Sequence, residues 1–462
     1  MGYLIDFLRQ RLPVELAGVA ALCALVWFIG PLISFGKWTP LRSESNRLLA
    51  ILIVVVIWAA YNLFMRARAS RRGQKLMTNL SVPAMGSERQ AIEEAQSEEI
   101  ASLRSRFEEA LQLLRKTSQK GRRDTAFLYE LPWYVIIGGP GSGKTTLLRN
   151  SGLKFPLSEQ LGDGPVRGVG GTRNCDWFFA DEAIFLDTAG RYTTQDSYQP
   201  VDKAAWSAFL GLLKKYRPRR PINGVLLAMS MSELMELNEE ERSRRGRELR
   251  LRVNELYEVM SIRFPIYMVF TKCDLIAGFG DFFSELTQED RAQVWGETFP
   301  NEGSKQQLEK LIAFLEGNFD EVLRRLNHWT LKRIQEERDT NRRGTIFCFP
   351  QQLALLKPTV SAFLRDIFGA SRFEKEPLLR GVYFTSGTQE GTPIDRIMGV
   401  LASVYGMERQ ELPAFRGRPK SFFINRLLKD VIFPEAELQA WIHGSSAGEH
   451  GSGWRRTPLF LF

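Results

Sequence analysis

The sequence has few of the residues that build disulfide or zinc frameworks. Among 462 residues there are four cysteines and three histidines, scattered without a CxxC pair or zinc-like spacing. The cysteine pattern indicates a reducing compartment without structural disulfides. The histidine pattern gives no basis for expecting a metal, other than one that phosphate groups hold in place.

The chain also lacks a large charge of one sign. Its formal net charge is +9, too small to indicate nucleic-acid binding by itself. The arginine-rich stretch from Arg242 to Arg252 is more typical of a solvated helix face than of a nucleic-acid site, and no nucleic-acid partner is expected. A cluster of basic residues directly after an apolar run instead indicates the cytoplasmic face of a membrane. Its members are Arg66, Arg68, Arg71, Arg72 and Lys75.

Two long apolar runs predict a transmembrane helical hairpin over residues 1–65. The spans lie at about residues 14–35 and 48–65, and each approaches the roughly 20 apolar residues that a bilayer-crossing helix needs. A secretory signal peptide is the alternative for the first run, although the second run follows closely and no small-residue cleavage site is evident. The positive-inside rule then places the N-terminus and residues 66–440 in the cytoplasm.

Residues 66–130 are predicted to be a basic linker followed by an amphipathic helix. Ser87 and Gln90 fit a capping box for a helix that runs to about Ser118. Apolar residues recur along it at spacings of three and four: Ile100, Leu103, Phe107, Leu111 and Leu114. We expect this helix to pack on its own domain rather than to form a coiled coil with a partner.

From Trp133 onward, short apolar runs alternate with helical stretches, which predicts an α/β fold with a parallel or mixed sheet flanked by helices. The expected strands are Tyr134–Ile137, Ala183–Leu186, Gly224–Ala228, Ile266–Phe270, Thr345–Phe349 and Val382–Phe384. The predicted domains are a P-loop NTPase core over 131–286, an added helical subdomain over 287–342, and further strands and C-terminal helices over 343–440. Residues 441–462, Gly/Ser-rich and then apolar, are expected to lead towards another membrane span of a longer parent chain.

The stretch from Gly138 to Thr145 matches the phosphate-binding loop GxxxxGK[ST] in full, after an apolar strand and before a helix. Glycines let backbone N–H groups turn towards phosphate oxygens. Lys144 would bridge the β- and γ-phosphates, and Thr145 would complete the Mg²⁺ shell. The predicted loop contacts to nucleotide are Gly138, Gly139, Pro140, Gly141, Ser142, Gly143, Lys144, Thr145 and Thr146.

A second element, AIFLDTAGR, predicts the γ-phosphate end of the pocket. Asp187 closes an apolar strand and could hold Mg²⁺ through a water, and Gly190 would present its N–H to the γ-phosphate. Thr172 is a candidate switch threonine, with an ordinary loop residue as the alternative. The predicted metal ligands are Thr145, Thr172 and Asp187, and the predicted catalytic residues are Lys144, Asp187 and Gly190.

A third element, MVFTKCDL, concerns the base. Asp274 could accept both N–H donors of guanine while the Lys272 stem lies across the ring, and adenine offers no such donor pair. Thr271 stands where GTP-binding proteins more often place Asn, so GTP is favoured and ATP stays open. The stretch FTSGTQEG, from Phe384 to Gly391, resembles the last base-contacting loop.

The residue after DxxG is Arg191, where many small GTPases place a Gln that orients the attacking water. An arginine cannot position water in the same way, although it could stabilise charge. Gln195 is near enough in sequence to substitute. We hypothesise slow hydrolysis of GTP or ATP, with the pocket used as a switch or a structural clamp.

These stretches together resemble the IcmF/TssM family, the inner-membrane component of bacterial type VI secretion systems. The resemblance covers essentially the whole chain and is carried by PWYVIIGGPGSGKTTLL, GTRNCDWFFADEAIFLDTAGRY, FPIYMVFTKCDLIAGF and FFINRLLKDVIFPEAEL. It implies nucleotide contact at Gly138, Gly143, Lys144, Thr145 and Asp187. It leaves ATP or GTP open, and some members of the family have degraded phosphate loops.

The resemblance also implies a multi-pass protein of the bacterial inner membrane that works within a complex. The implied partners are a small inner-membrane anchor protein, an outer-membrane lipoprotein reached through a periplasmic part, baseplate components, the lipid bilayer and further copies of the chain. The alternative function is a purely structural membrane scaffold whose nucleotide pocket is not essential. A transport ATPase of the ABC type is disfavoured because the sequence has no LSGGQ-like signature.

Overall fold

The computed structural model describes residues 86–117, 128–156, 175–194, 199–300, 308–369, 377–398 and 420–437, with the single residues Trp27, Glu44 and Leu48. Apart from those single residues, the two predicted spans lie outside this set, as do the basic linker and residues 441–462. None of the helices described here has the length and apolarity needed to cross a bilayer. The chain divides into two compact units, Met1–Ala91 and Ile92–Phe462, and the elements of the second unit form the fold described below.

The elements follow one another in this order: α1 (Gly86–Thr117), β1 (Trp133–Ile137), α2 (Lys144–Arg149), β2 (Cys175–Phe179), β3 (Ile184–Thr188), α3 (Gly190–Thr194), α4 (Gln199–Tyr216), β4 (Gly224–Ser230), α5 (Met231–Glu236), α6 (Glu239–Met260), β5 (Pro265–Thr271), a 3-10 turn (Cys273–Leu275), α7 (Phe279–Phe282), α8 (Gln288–Ala292), β6 (Gly296–Thr298), α9 (Leu308–Glu336), α10 (Thr340–Ala354), α11 (Lys357–Phe368), β7 (Leu378–Phe384) and a π-helix (Leu427–Ile432).

The strands form a single mixed sheet with helices on both faces. Its order is β2-β3-β1-β4-β5-β7-β6. The five central strands run parallel, while β2 and β6 pair antiparallel at the two edges. Because β1, β3, β4, β5 and β7 are parallel, their carboxyl ends meet at one edge of the sheet, where α/β proteins place their ligands. The predicted α/β class and mixed sheet are confirmed.

Five of the six predicted strands are present, and the prediction of a strand at Thr345–Phe349 is wrong. That stretch lies inside α10. Asp339 caps the first turn of this helix by accepting a hydrogen bond from Asn341 N. Ile346, Phe349 and Leu353 are fully buried, a spacing that fits one face of a helix. The segment predicted to be a helical subdomain, 287–342, contains the edge strand β6 as well as α8 and α9.

Helix α1 packs against one face of the sheet, as the sequence predicts. Leu103, Phe107 and Leu114 are buried in the larger apolar core. The Phe107 ring meets Trp177 of β2 edge-on at 4.8 Å between centroids and stacks on Tyr216 of α4 at 5.3 Å. The helix begins at Gly86, one residue before Ser87, which the sequence predicts as its cap.

The opposite face of the sheet is covered by α2 and by residues 420–437, called here the C-terminal segment. Ile424, Leu427 and Leu428 belong to this second apolar core. Polar contacts fasten the segment: Tyr267 OH donates to Glu435 Oε2 at 2.8 Å, and Asn425 Nδ2 donates to the Ser151 carbonyl at 2.8 Å. The C-terminal segment therefore touches the chain just beyond α2, close to the end of the phosphate loop helix.

Candidate functional site

The predicted phosphate loop lies between β1 and α2 in a conformation that favours glycine. Gly141 has φ of 72° and Gly143 has φ of 80°, in the left-handed region where other residues are strained. A Cβ on Gly138 would lie 2.3 Å from the carbonyl oxygen of Ala228 in β4. The shape of the loop therefore depends on its neighbours as well as on its own glycines.

Lys144 is the first residue of α2, and only 6% of it is exposed. Its Nζ donates to the carbonyl oxygens of Gly138 at 2.7 Å and Gly139 at 3.0 Å. Burial lowers the pKa of the Lys144 ammonium, and the carboxylates of Asp187 and Glu233 act in the opposite direction. The structure thus holds a cation inside the loop, within reach of the residues that would surround a polyphosphate.

Thr145 and Asp187 meet because β3 runs beside β1. The register pairs Asp187 with Ile136, and Thr145 Oγ1 donates to Asp187 Oδ2 at 2.5 Å. Asp187 is fully buried. A hydroxyl and a carboxylate in contact provide the oxygen ligands that Mg²⁺ prefers, so these two residues fit the ion that the sequence implies.

Gly190 brings the DxxG segment directly against the phosphate loop. A Cβ on Gly190 would lie 2.4 Å from the Pro140 nitrogen, closer than any side chain tolerates. Thr193 Oγ1, one turn along α3, donates to the Gly138 carbonyl at 3.1 Å. The two predicted phosphate-binding elements are therefore in van der Waals contact, and that contact requires glycine at this position.

Arg191 is engaged by carboxylates from two other helices. It forms ion pairs with Glu99 of α1 and with Asp202 of α4, the latter at 2.5 Å. Tyr192 OH donates to the same Glu99 oxygen at 3.0 Å. The residue that replaces the expected glutamine therefore joins α3 to α1 and α4.

Thr271, at the end of β5, ties this strand to the phosphate loop. Its Oγ1 donates to the Ser142 carbonyl at 2.6 Å. A Cβ on Gly143 would lie 3.0 Å from Thr271 Oγ1. The threonine that stands in place of asparagine therefore fills the space beside Gly143 and supplies a hydrogen bond to the loop.

Lys272 and Asp274 follow directly after β5 at the same edge of the sheet. Lys272 has φ of 55°, and Asp274 lies in the 3-10 turn with 5% of its surface exposed. Burial raises the pKa of Asp274 to about 6, opposed first by a hydrogen bond from the Ser386 side chain. A carboxylate held in so little water favours a partner that supplies N–H donors.

Residues 385–391, called here the β7 loop, lie beside this carboxylate. Cys273 N donates to the Thr385 carbonyl at 3.1 Å, and a Cβ on Gly387 would lie 3.0 Å from Thr146 Cγ2 of α2. The loop that resembles a base-contacting loop in sequence is thus placed between the phosphate loop and Asp274. Sequence reasoning did not single out Ser386 and Gln389 within it, although both follow the carboxyl end of a central strand.

Glu233 is a second residue that sequence reasoning missed. It lies on α5, directly after β4, and its charge acts on Lys144. Arg245 Nε of α6 donates to Glu233 Oε1 at 3.1 Å. Its signal in the sequence is its position at the carboxyl end of β4. Thr172 and Gln195 lie outside the described residues, so their predicted roles stay predictions.

Comparison with known proteins gives stronger matches for the sequence than for the fold. The model of the IcmF-related N-terminal domain family matches residues 199–445, more than half of the chain. The type VI secretion system component TssM1 of Pseudomonas aeruginosa is 51% identical over 344 residues, which cover 74% of this chain. The chain spans 31% of the length of that relative.

The following two solved structures are distant matches. A GTP-binding protein from Sulfolobus solfataricus in complex with GDP is 15% identical, with a TM-score of 0.20, over 39% of this chain and 50% of its own. A second structure, the complex of SsGBP and GDP, is 16% identical with a TM-score of 0.19, over 38% of this chain and 43% of its own. At these scores the likeness carries no argument about ligand or mechanism.

Proposed function

The chain belongs to the IcmF-related family, and from this premise we propose that it is a membrane-anchored subunit of a type VI secretion complex that binds a nucleoside triphosphate in the cytoplasm. Its nucleotide would switch or clamp assembly of the secretion channel and its baseplate. The proposed partners are a small inner-membrane anchor protein, an outer-membrane lipoprotein, baseplate components, further copies of this chain and the bilayer of the bacterial inner membrane.

The observation that carries the nucleotide proposal is the convergence of distant segments on a single loop. Lys144 lies inside the loop, Gly190 is packed against Pro140, and Thr271 donates to Ser142. A loop of this shape exposes backbone N–H groups to an anion. A Gly-rich turn with a purely structural role would have no need for a buried lysine among its carbonyl groups.

Mg²⁺ fits the pair formed by Thr145 and Asp187. The Thr145 hydroxyl and the Asp187 carboxylate would hold the ion, directly or through water. When bound, it supplies positive charge to the phosphate groups. Lys144 would orient the phosphates from the loop side, and Gly190 would offer its backbone N–H from the opposite side.

We infer that intrinsic hydrolysis of GTP or ATP is slow. Arg191 has no acceptor for a proton of the attacking water, and its guanidinium is paired with Glu99 and Asp202. A pocket that retains its nucleotide suits a switch or a clamp better than a motor. Rapid turnover by the purified protein without any partner would contradict this part of the proposal.

Calorimetry on the full chain in detergent tests the binding proposal. Non-hydrolysable GTP and ATP analogues are titrated with and without Mg²⁺, against wild type, Lys144→Ala and Lys154→Ala. Lys154 is an exposed lysine beyond α2, so its variant is the matched control. Loss of a charged contact costs about 1.5–3 kcal/mol, and Lys144→Ala should weaken binding roughly ten- to hundredfold. Failure of the wild type to bind either analogue would refute the proposal.

Secretion assays in cells distinguish a nucleotide-dependent switch from the scaffold alternative. With a nucleotide-dependent switch, Lys144→Ala abolishes secretion while the membrane complex still assembles, and Lys154→Ala secretes normally. Normal secretion by Lys144→Ala would instead favour a scaffold whose pocket is not essential.

A protease added outside the inner membrane should leave residues 66–440 intact, since they are proposed to be cytoplasmic.

A further inference from the structure

We propose that Gln389 is a positioning residue for the nucleotide base. It orients the Ser386 hydroxyl towards the Asp274 carboxylate, and one oxygen of that carboxylate stays available to the paired N–H donors of guanine. The inference rests on the proposed function, because it concerns the base end of the same pocket. It goes further by assigning the substrate class, a guanine nucleotide, and a residue that selects it.

The Gln389 amide is fixed at both of its ends. Its Oε1 accepts from the Lys420 backbone N–H at 2.7 Å, and its Nε2 donates to the Lys420 carbonyl at 2.6 Å. Only 8% of Gln389 is exposed. Since the backbone atoms of Lys420 determine which end of the amide is oxygen, the second N–H of Gln389 has one direction left, towards Ser386.

Gln389 Nε2 donates to Ser386 Oγ at 3.0 Å. Ser386 is itself fully buried, and its backbone exchanges two hydrogen bonds with Phe422 of the C-terminal segment, at 3.1 and 2.8 Å. Because its oxygen accepts from Gln389, the single hydroxyl proton of Ser386 is free to point to another acceptor. That acceptor is the Asp274 carboxylate, to which the Ser386 side chain is hydrogen-bonded.

The relay of hydrogen bonds from Gln389 through Ser386 occupies only part of the Asp274 carboxylate. Within the described parts of the chain, its Oδ1 is buried and has no hydrogen-bond partner. A buried acceptor without a donor costs free energy, which a ligand with suitable N–H groups would recover. Guanine presents two such donors side by side, and adenine would leave the carboxylate unsatisfied. The relay therefore favours an ionised, oriented Asp274.

The test measures affinity of the full chain for GTP, ITP and ATP analogues in wild type, Gln389→Met, Ser386→Ala and the double variant. ITP lacks the 2-amino group of guanine. Wild type should prefer GTP over ATP at least tenfold, and each single variant should lower that ratio roughly five- to tenfold without changing ATP affinity. If Gln389 acts through Ser386, the double variant equals Ser386→Ala.

The pH dependence of binding separates positioning from a general loosening of the loop. GTP affinity of the wild type should rise as Asp274 ionises at about pH 6, and loss of the relay should move that midpoint upward. Normal discrimination in Gln389→Met and Ser386→Ala, or an ATP preference in the wild type, would overturn the inference while the proposed function stands. Wild type that binds none of the three nucleotides would overturn both.

Discussion

Single residues at the candidate site are constrained by contact with backbone from other parts of the chain. Gly190 touches Pro140 and Gly138 touches Ala228, each at a distance that leaves no room for a Cβ. Thr271 similarly fits against Gly143, where a longer asparagine side chain would need more space. These constraints act between segments far apart in sequence, so the motif spacing alone does not reveal them.

Gly190→Ala should weaken nucleotide binding more than tenfold. Its Cβ would lie 2.4 Å from the Pro140 nitrogen, so the phosphate loop or the DxxG segment has to move. Gly211→Ala is the matched control, because a Cβ on that exposed residue of α4 meets nothing within 4 Å. This control should raise the free energy of unfolding by about 0.5–1 kcal/mol and leave affinity unchanged. Calorimetric titration and urea unfolding measure the two effects, and equal affinities in both variants would disprove the steric argument.

Residue types at the site were predictable to different degrees. The phosphate loop and Asp187 follow from motif spacing, because the chemistry of phosphates and Mg²⁺ fixes the residues at each position. Ser386, Gln389 and Glu233 do not, because their roles arise from neighbours that only the folded sheet brings together. The structure supplies a partner for Arg191 that no local pattern indicates, Glu99, ninety-two residues earlier.

Among the elements, α1 has a direct connection to the DxxG segment. Glu99 accepts hydrogen bonds from both Arg191 and Tyr192, and Gln96, one turn earlier, donates to the Pro200 carbonyl at 3.1 Å. Any displacement of α3 at Gly190 must therefore stretch or break contacts with α1. Apolar packing through Phe107 holds the remainder of the helix to the sheet.

Glu99→Gln should loosen α1 without unfolding the sheet. The variant breaks a partly buried ion pair and leaves Asp202 as the Arg191 counter-ion, at a cost of about 1–2 kcal/mol. Glu98→Gln, with the same charge change at an exposed neighbour, is the control. Hydrogen exchange of residues 92–117 should accelerate only in Glu99→Gln. Identical exchange in the two variants would mean that the ion pair does not hold the helix.

Element types were predictable wherever the apolar pattern was long or clearly periodic. The central parallel strands are continuous apolar runs, so their positions followed from the sequence within a few residues. The stretch TIFCF has the composition of a strand, yet Ile346, Phe349 and Leu353 show the helical period that α10 uses. The edge strands β2 and β6 were not predicted. Strand β6 has only three residues, and both strands are defined by pairing with an antiparallel neighbour, which the sequence does not reveal.

At the scale of the whole molecule, the sheet is closed at one edge by β6, which pairs with β7. Glu297 lies in β6 with 8% of its surface exposed. Burial raises its pKa to about 7, opposed by a hydrogen bond from the Asn318 side chain of α9. A protonated carboxyl therefore suits this junction between the sheet and α9 better than a carboxylate.

Glu297 should make the protein less stable as the pH rises. A carboxyl whose pKa is raised on folding, here from 4.5 to about 7, stabilises the native state fully below pH 4.5, and this contribution is lost through pH 7. Its size is on the order of 3 kcal/mol. Glu297→Gln stays neutral, so it should match wild type at pH 4.5 and exceed it by about that amount at pH 8. Urea unfolding across this range measures the difference, with the exposed Glu258→Gln as a control that follows wild type. Because Asp274 titrates in wild type and variant alike, a constant difference at every pH would show that the Glu297 carboxyl is not the group that responds.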